Sequence, residues 1–395
     1  MLEINLNMYH AVALGAAMFW LGTVLTGKIG VLNRFCIPAP LVGGLCFALI
    51  NALLYALGIA VIQFDNTLET VFMVLFFCTV GFTVSIPQLF KGGKAVILLL
   101  LLGSVMIVLQ NGMGGALMAM MGKNPLYGIG CGSIALIGGP GTAAGIGPDL
   151  ESAGAVGAKA VSIAAATFGL VTGSLMGGPI ARRLINKYHL RSKRTGTDAV
   201  TVEDENMTTD NAKLIKGFML ILVGVGIGNQ VSTWLTQLCG FSFPGYIGAM
   251  VVAVVIRNVM DAGKVEFPDR EIDAFGNVFL SIFLSMALAG LKLWQLVDLA
   301  LPMIVCLAAQ VVLMFLFAYF VVFRVMGKDY DAAVMTAGFI GFGMGATSNA
   351  MANMQAVSKK YGPSPIAYFA IPMVGSLFID FFNAAMIAFN IGLWS

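Results

Sequence analysis

The chain has 395 residues, 22 of them Lys or Arg and 19 Asp or Glu, so charged residues make up 10 % where soluble domains carry about 25 %. Apolar residues reach 59 %, mean hydropathy is +0.91, and 13 of the charges fall between Arg182 and Lys216, which excludes a soluble globular protein and puts the rest of the chain in lipid. A net charge of +3 gives no reason to expect a nucleic-acid partner.

In chain order, the first apolar run follows MLEINLNMYH, which lacks the basic residues of a secretory leader, and reads as a retained helix. Runs long enough to span a bilayer lie at 8–27, 39–60, 68–85, 94–121 and 157–182, then at 214–238, 244–260, 275–294, 299–326 and 364–393. Two further segments, 125–148 and 330–356, are apolar, rich in glycine and interrupted by short polar motifs, and read as re-entrant hairpins. The fold expected is therefore an all-α polytopic membrane protein with about ten transmembrane helices and two hairpins.

Lys and Arg near span ends prefer the cytoplasm. With the Arg182–Lys216 loop inside, 19 of the 22 basic residues fall on that side; Lys123, Lys159 and Lys292 remain outside, and both termini lie outside. Five spans precede the loop. Residues 1–182 and 214–395 are thus opposite in orientation, joined by a cytoplasmic linker at 183–213. Short matches between the halves recur at offsets of 204 to 207: Pro40 and Gly44 with Pro244 and Gly248, VFMVLFF (71–77) with VFLSIFL (278–284), and GGPGT (138–142) with GMGAT (343–347). These point to inverted-topology repeats.

Paired breaks of this kind form substrate sites in secondary transporters, because non-helical backbone at membrane depth must line a protein or watery cavity. Gly138, Gly139, Gly141, Gly343 and Gly345 permit the turns, and Thr142, Thr347, Ser348, Asn349 and Asn353 add hydroxyls and amides. Amides and helix N-termini suit an anion, and carbonyls suit a cation such as sodium. Asp380 is the one ionisable residue deep in a span, with Asn383 on the same helix face. Those two residues, followed by Gln110 and Asn111, are the candidates for a sodium ion or a substrate ammonium, although hydrogen bonds between helices explain such residues as well.

Other chemistries lack their residues. Cys36, Cys46, Cys78, Cys131, Cys239 and Cys306 have no CxxC spacing, and His10 and His189 are the only imidazoles, so zinc, haem and a disulfide framework are not expected. Tyr330-Asp331 has no GxGD partner, and neither HExxH nor a P-loop occurs. Asn206-Met207-Thr208 lies in the loop placed inside, and Glu203, Asp204 and Glu205 read as a solvated face. No enzyme is expected; a channel on the same repeat is the alternative from another class.

The segments IPAPLVGGL, VLQN, ALIGGPGTAAG, ATFGLVTGSLMGGPIAR, LSMALAGLKLWQL, MGKDYDAAVMTAG, GFGMGATSNAMANMQA and FIDFFNA resemble, in order and spacing, the pattern of the bacterial sodium/glutamate symporter family. The resemblance spans nearly the whole chain. It implies a proton-independent importer of L-glutamate coupled to Na+ in the inner membrane, working as a homodimer in which a domain bearing both hairpins moves like an elevator. The chain departs from the family in carrying Pro140 where members have His, and Ser348-Asn349 where they have Pro-Thr. An altered tip leaves a dicarboxylate or another amino acid open as the substrate.

Overall fold

The computed structural model describes residues 1–35, 37–87, 93–192, 211–239 and 244–394. Most of the expected linker, with Glu203–Glu205 and the Asn206 motif, lies outside the described residues, as does Cys36.

Nearly all of the described chain is helical. A two-stranded parallel sheet is the exception to the all-α expectation: β1 (Leu2–Leu6) pairs with β2 (Ala60–Phe64). Gly58, at φ 70°, lets the chain leave the helix that starts at Ala39, so the predicted span 39–60 ends at Ala56 and the β-branched run AVIQF becomes a strand. The first elements are α1 (Met8–Lys28), capped by Asn7, the short α2 (Gly30–Arg34), α3 (Ala39–Ala56) and α4 (Thr67–Phe82). Ahead of α4, the hydroxyl and amide of Thr67 donate to Asp65 and hold its carboxyl below the usual carboxylate range. Next come α5 (Gly93–Met120), α6 (Leu126–Gly130), α7 (Ser133–Leu136), α8 (Gly139–Ser152) and α9 (Ala158–Tyr188). The second half contains α10 (Asn211–Cys239), α11 (Gly245–Ala262), α12 (Asp269–Ala289) and α13 (Ala300–Phe317), which a π turn prolongs to Val325. It closes with α14 (Tyr330–Gly343), α15 (Thr347–Tyr361), α16 (Pro365–Met373) and α17 (Ile379–Trp394), the last two joined through a π turn.

Nine helical stretches among the described residues are long and apolar enough to cross a membrane. The tenth predicted span, 68–85, is α4, which at 16 residues is shorter. The helix of the predicted span 157–182 runs on to Tyr188, into the expected linker, and that of 275–294 begins six residues earlier, at Asp269.

The helices fall into two sets. In one, α1, α3, α4, α10, α11 and α12 pack on one another; in the other, α5 to α9 pack with α13 to α17. The sets meet chiefly where α8 lies against α12 and where α17 touches α4 and α11. Helix α9, 31 residues and about 46 Å long, is the axis of the second set. Along its first half, the α6–α8 segment folds back on itself: the Tyr127 hydroxyl donates to the Val156 carbonyl at 2.7 Å, while Leu136 reaches Gly169 at mid-helix. Along its second half, α14 and α15 form an antiparallel pair, with the Tyr330 hydroxyl donating to the Gly362 carbonyl at the open end and Met344 against Gly169 and Gly173 at the turn. The two turns therefore meet halfway along α9, approached from opposite ends.

Candidate functional site

The turns touch. A Cβ added to Gly139, which has φ 68°, would come within 2.8 Å of the Gly345 carbonyl oxygen, so only glycine tolerates this approach. Helix α8 starts at Gly139 and α15 at Thr347, both directed away from the meeting point. Neither start carries a side-chain cap: Gly138 has no side chain and Ala346 supplies no acceptor. The orphan N–H groups and the positive dipole ends of both helices thus gather at one place.

Beside them lies a cavity of about 640 Å³, within the size range of small-molecule sites. Its walls come from both sets: Gly138, Gly139, Pro140, Gly141, Thr142, Gly345, Ala346, Thr347, Ser348, Gly375, Ser376 and Asp380 on one side, and on the other residues of α4 and α12, among them Phe76, Phe77, Thr79, Thr83, Asp273, Asn277 and Ser281. Among the described residues, no Lys, Arg or His lines it. Thr142, Ser348 and Asp380 form no hydrogen bond or ion pair with the other described residues and are free for a ligand. The Thr347 hydroxyl instead donates to the Gly375 carbonyl at 2.8 Å. A wider groove of about 820 Å³ lies between Ile185–Ser192 and Lys360–Pro363, at the far end of α9 from Gly157.

Of the residues singled out from sequence, Gly138, Gly139, Gly141, Thr142, Gly345, Thr347, Ser348 and Asp380 line the cavity, and the other six lie behind it. Asn349 and Asn353 use their amides on the carbonyls of Leu170 at 2.8 Å and Gly173 at 3.0 Å, pinning α15 to α9. Gln110 donates to the Gly343 carbonyl at 3.0 Å. Asn111 accepts from the Ser133 amide at 3.0 Å and Asn383 donates to the Ser133 carbonyl at 3.1 Å, so two helices clamp one residue of the α6–α8 segment. The side-chain oxygens Gln110 Oε1, Asn383 Oδ1 and Ser133 Oγ stay buried with no hydrogen-bond partner, as does Asn111 Nδ2. The three oxygens are ones a small cation would accept; the Asn111 nitrogen is not.

Sequence reasoning missed Asp273, Asn277 and Ser281. Their i, i+4, i+8 spacing puts them on one helix face, and the signal was hidden because the span was started at residue 275.

A chain with this many apolar helices, whose two broken segments meet inside the fold beside a cavity of mixed polar and apolar walls, is a multi-pass membrane transporter. Comparison with known proteins is specific. The model of the sodium/glutamate symporter family matches residues 4–363. A sodium/glutamate symporter of Haemophilus influenzae is 36 % identical over 394 residues, covering 98 % of this chain and 97 % of that protein. That of Escherichia coli K12 is 39 % identical over 380 residues, 93 % of each. The chain belongs to the sodium/glutamate symporter family. Among solved structures, the sodium proton antiporter MjNhaP1 of Methanocaldococcus jannaschii aligns over 97 % of this chain and 95 % of its own, with a TM-score of 0.45 and 15 % identity.

Proposed function

We propose that the protein imports glutamate together with sodium across the bacterial inner membrane, binding both where the two turns meet. The observation that carries this is the convergence of two uncapped helix N-termini on a cavity without a basic side chain. Glutamate brings two carboxylates and one ammonium. The helix ends, with the hydroxyls of Thr142 and Ser348 and the Gly345–Asn349 turn, receive the carboxylates. Asp380 takes the ammonium or a sodium ion. Further sodium contacts come from the unpaired buried oxygens of Asn383, Gln110 and Ser133. Sodium supplies the positive charge that the walls lack, and each inward charge gains about 2.3 kcal/mol per 100 mV of membrane potential.

In this reading the α6–α8 segment and the α14–α15 pair are re-entrant hairpins entering the lipid bilayer from opposite faces, and residues 1–182 and 214–395 are inverted repeats around the linker at 183–213. Both termini lie in the periplasm. The protein works as a homodimer, as the family resemblance implies, and two features support an elevator mechanism: the hairpins belong to one helix set, and few elements of that set touch the other. The cavity lies along the latter part of α4 and the former part of α12, the cytoplasmic side by the positive-inside rule. At the opposite end the two sets are closed by an ion pair between Lys159 and Glu69 at 2.6 Å and by the Tyr246 hydroxyl donating to Asp149 at 3.3 Å. The arrangement is that of an inward-open carrier.

The test is uptake of labelled glutamate by purified protein in liposomes under an inward sodium gradient, with potassium replacing sodium as control and aspartate, glutamine and malate as competitors. Accumulation that needs sodium and resists malate is the expected result. A second reading rests on Pro140 and Ser348-Asn349 at the tips: sodium-driven accumulation abolished by malate or glutamine would make one of these the substrate.

A further inference from the structure

The cavity has a polar wall that the binding reading does not use. On α12, Asp273, Asn277 and Ser281 follow one another at intervals of four residues and all line the cavity, with Thr79 and Thr83, also four apart, on the facing α4. The two helices approach closely there: a Cβ on Gly276 would lie 2.7 Å from the Thr79 hydroxyl oxygen. Leu280 is level with the hairpin tips, since a Cβ on Gly141 would come within 3.1 Å of it. Asp273, seven residues earlier, is about 10 Å nearer the start of α12, at the mouth of the cavity.

The charges around Asp273 are otherwise committed. Arg257 pairs with Asp261 at 3.1 Å and also with Asp269, and forms no ion pair with Asp273, while Asp261 accepts in addition from the Ser85 hydroxyl at 2.6 Å. Asp273 itself makes no hydrogen bond or ion pair among the described residues. It faces the cavity with the nearby charges of Asp269 and Arg257 acting on it in opposite senses, on a wall that belongs to the helix set opposite Asp380.

We propose that Asp273, with Asn277 and Ser281, forms a second, outlying cation site that receives sodium on its way from the hairpin tips to the cytoplasm. A cation leaving Asp380 must regain oxygen ligands before it reaches bulk water, and the side-chain oxygens of the α12 ladder and of Thr79 and Thr83 supply them along a wall otherwise made of Phe76, Leu280 and Leu284. The site belongs to the stationary helix set, so it is available only while the cavity is open on this side, and of the two bulk solutions only the cytoplasmic one reaches it directly. This assignment rests on the sodium-coupled, inward-open reading above.

The experiment compares Asp273→Asn with the unaltered full-length protein in inside-out and right-side-out membrane vesicles, titrating sodium on the outer face of each during entry of labelled glutamate. In inside-out vesicles, where that face is cytoplasmic, the sodium concentration giving half-maximal entry rises about fivefold, the loss of about 1 kcal/mol. In right-side-out vesicles it stays within about twofold, and Asp273→Glu restores the first value. An equal rise in both orientations, or no change in either, overturns the proposal and leaves sodium coupling intact. Unaltered protein that ignores sodium on both faces overturns the transport reading itself.

Discussion

The two hairpins carry related motifs in different surroundings. The first presents the small faces of Gly141 and Gly145 to Phe76, Phe77, Met73 and Leu280 of the other helix set. Its outer arm is locked there by Asp149 with Tyr246, and the start of α9 that follows it by the Lys159–Glu69 ion pair. The second is held within its own set by Asn349 and Asn353 on α9 and by Thr347 on Gly375, and Ser348 at its tip opens onto the cavity. One hairpin is sealed against the facing set and the other is not. In the proposed carrier this asymmetry is that of one conformation of an inverted repeat, and the pairs beside the first hairpin are the contacts that would break when the roles exchange.

The largest effect is expected from breaking that seal. The Lys159 and Glu69 side chains are 12 % and 9 % exposed, and removing one partner of a buried pair costs about 3–5 kcal/mol because the other charge is left uncompensated. Lys159→Ala should depress sodium-driven uptake more than tenfold, and Glu69→Gln combined with Lys159→Met should recover most of it. Uptake rates of the single and double variants decide whether this pair makes the difference between the two hairpins; an unaffected Lys159→Ala removes it from the comparison. Asp380→Asn comes next. The tips share this carboxylate, and losing a charged contact worth about 1.5–3 kcal/mol should lower the ratio of maximal rate to half-saturating glutamate about 10- to 100-fold. An Asp380→Asn protein with full sodium-coupled uptake would refute its role at the tips.

The two broken segments could be read from the residues beforehand, but not the contrast between them. Glycine interruptions and the GGPGT and GMGAT motifs marked both hairpins, because a turn at membrane depth needs small residues and polar neighbours whatever packs around it. What escaped depends on partners distant in sequence. Nothing local tells that Asn349 faces Leu170 while Ser348, one residue before, faces a cavity. The one-residue step rotates the side chain by about 100°, and only the packed helix α9 says which direction is inward. Asp273 escaped for a different reason: hydropathy ends a span where charges begin, and α12 continues through Asp269 and Arg270 into the polar layer. The strand at Ala60–Phe64 escaped because its partner is 58 residues away in β1.

A smaller effect should separate the hairpins in stability. Asn349 Nδ2 is buried and bonded to Leu170 O, and its Oδ1 has no partner among the described residues, so Asn349→Ala removes a buried bond that pins α15 to α9, at about 0.5–1.5 kcal/mol. The thermal unfolding midpoint in detergent should fall, and glutamate protection should persist. Thr142→Val at the first tip has no such structural bond to lose, so it should leave the midpoint within about 2 °C. It should still raise half-saturating glutamate about fivefold, the loss of one hydroxyl contact. Equal thermal shifts in both variants would erase the distinction between a pinned tip and a free one.

The smallest effect is expected at Pro140, at the tip of the first hairpin. Its ring lies in the first turn of α8, where backbone N–H groups have no partner within the helix and a missing one breaks no hydrogen bond. The fixed φ of proline also suits a helix start that follows two glycines, and part of its contribution is to limit the unfolded chain, worth about 0.4–1 kcal/mol. Pro140→His should therefore lower the unfolding midpoint slightly and leave half-saturating glutamate within about threefold. The competitor order in liposome uptake should also stay the same. A change in that order, with malate or glutamine losing ground to glutamate once histidine is present, would mean that the first tip reads the substrate side chain and the second holds the group common to all amino acids. The comparison would then separate the hairpins by the part of the substrate each one touches.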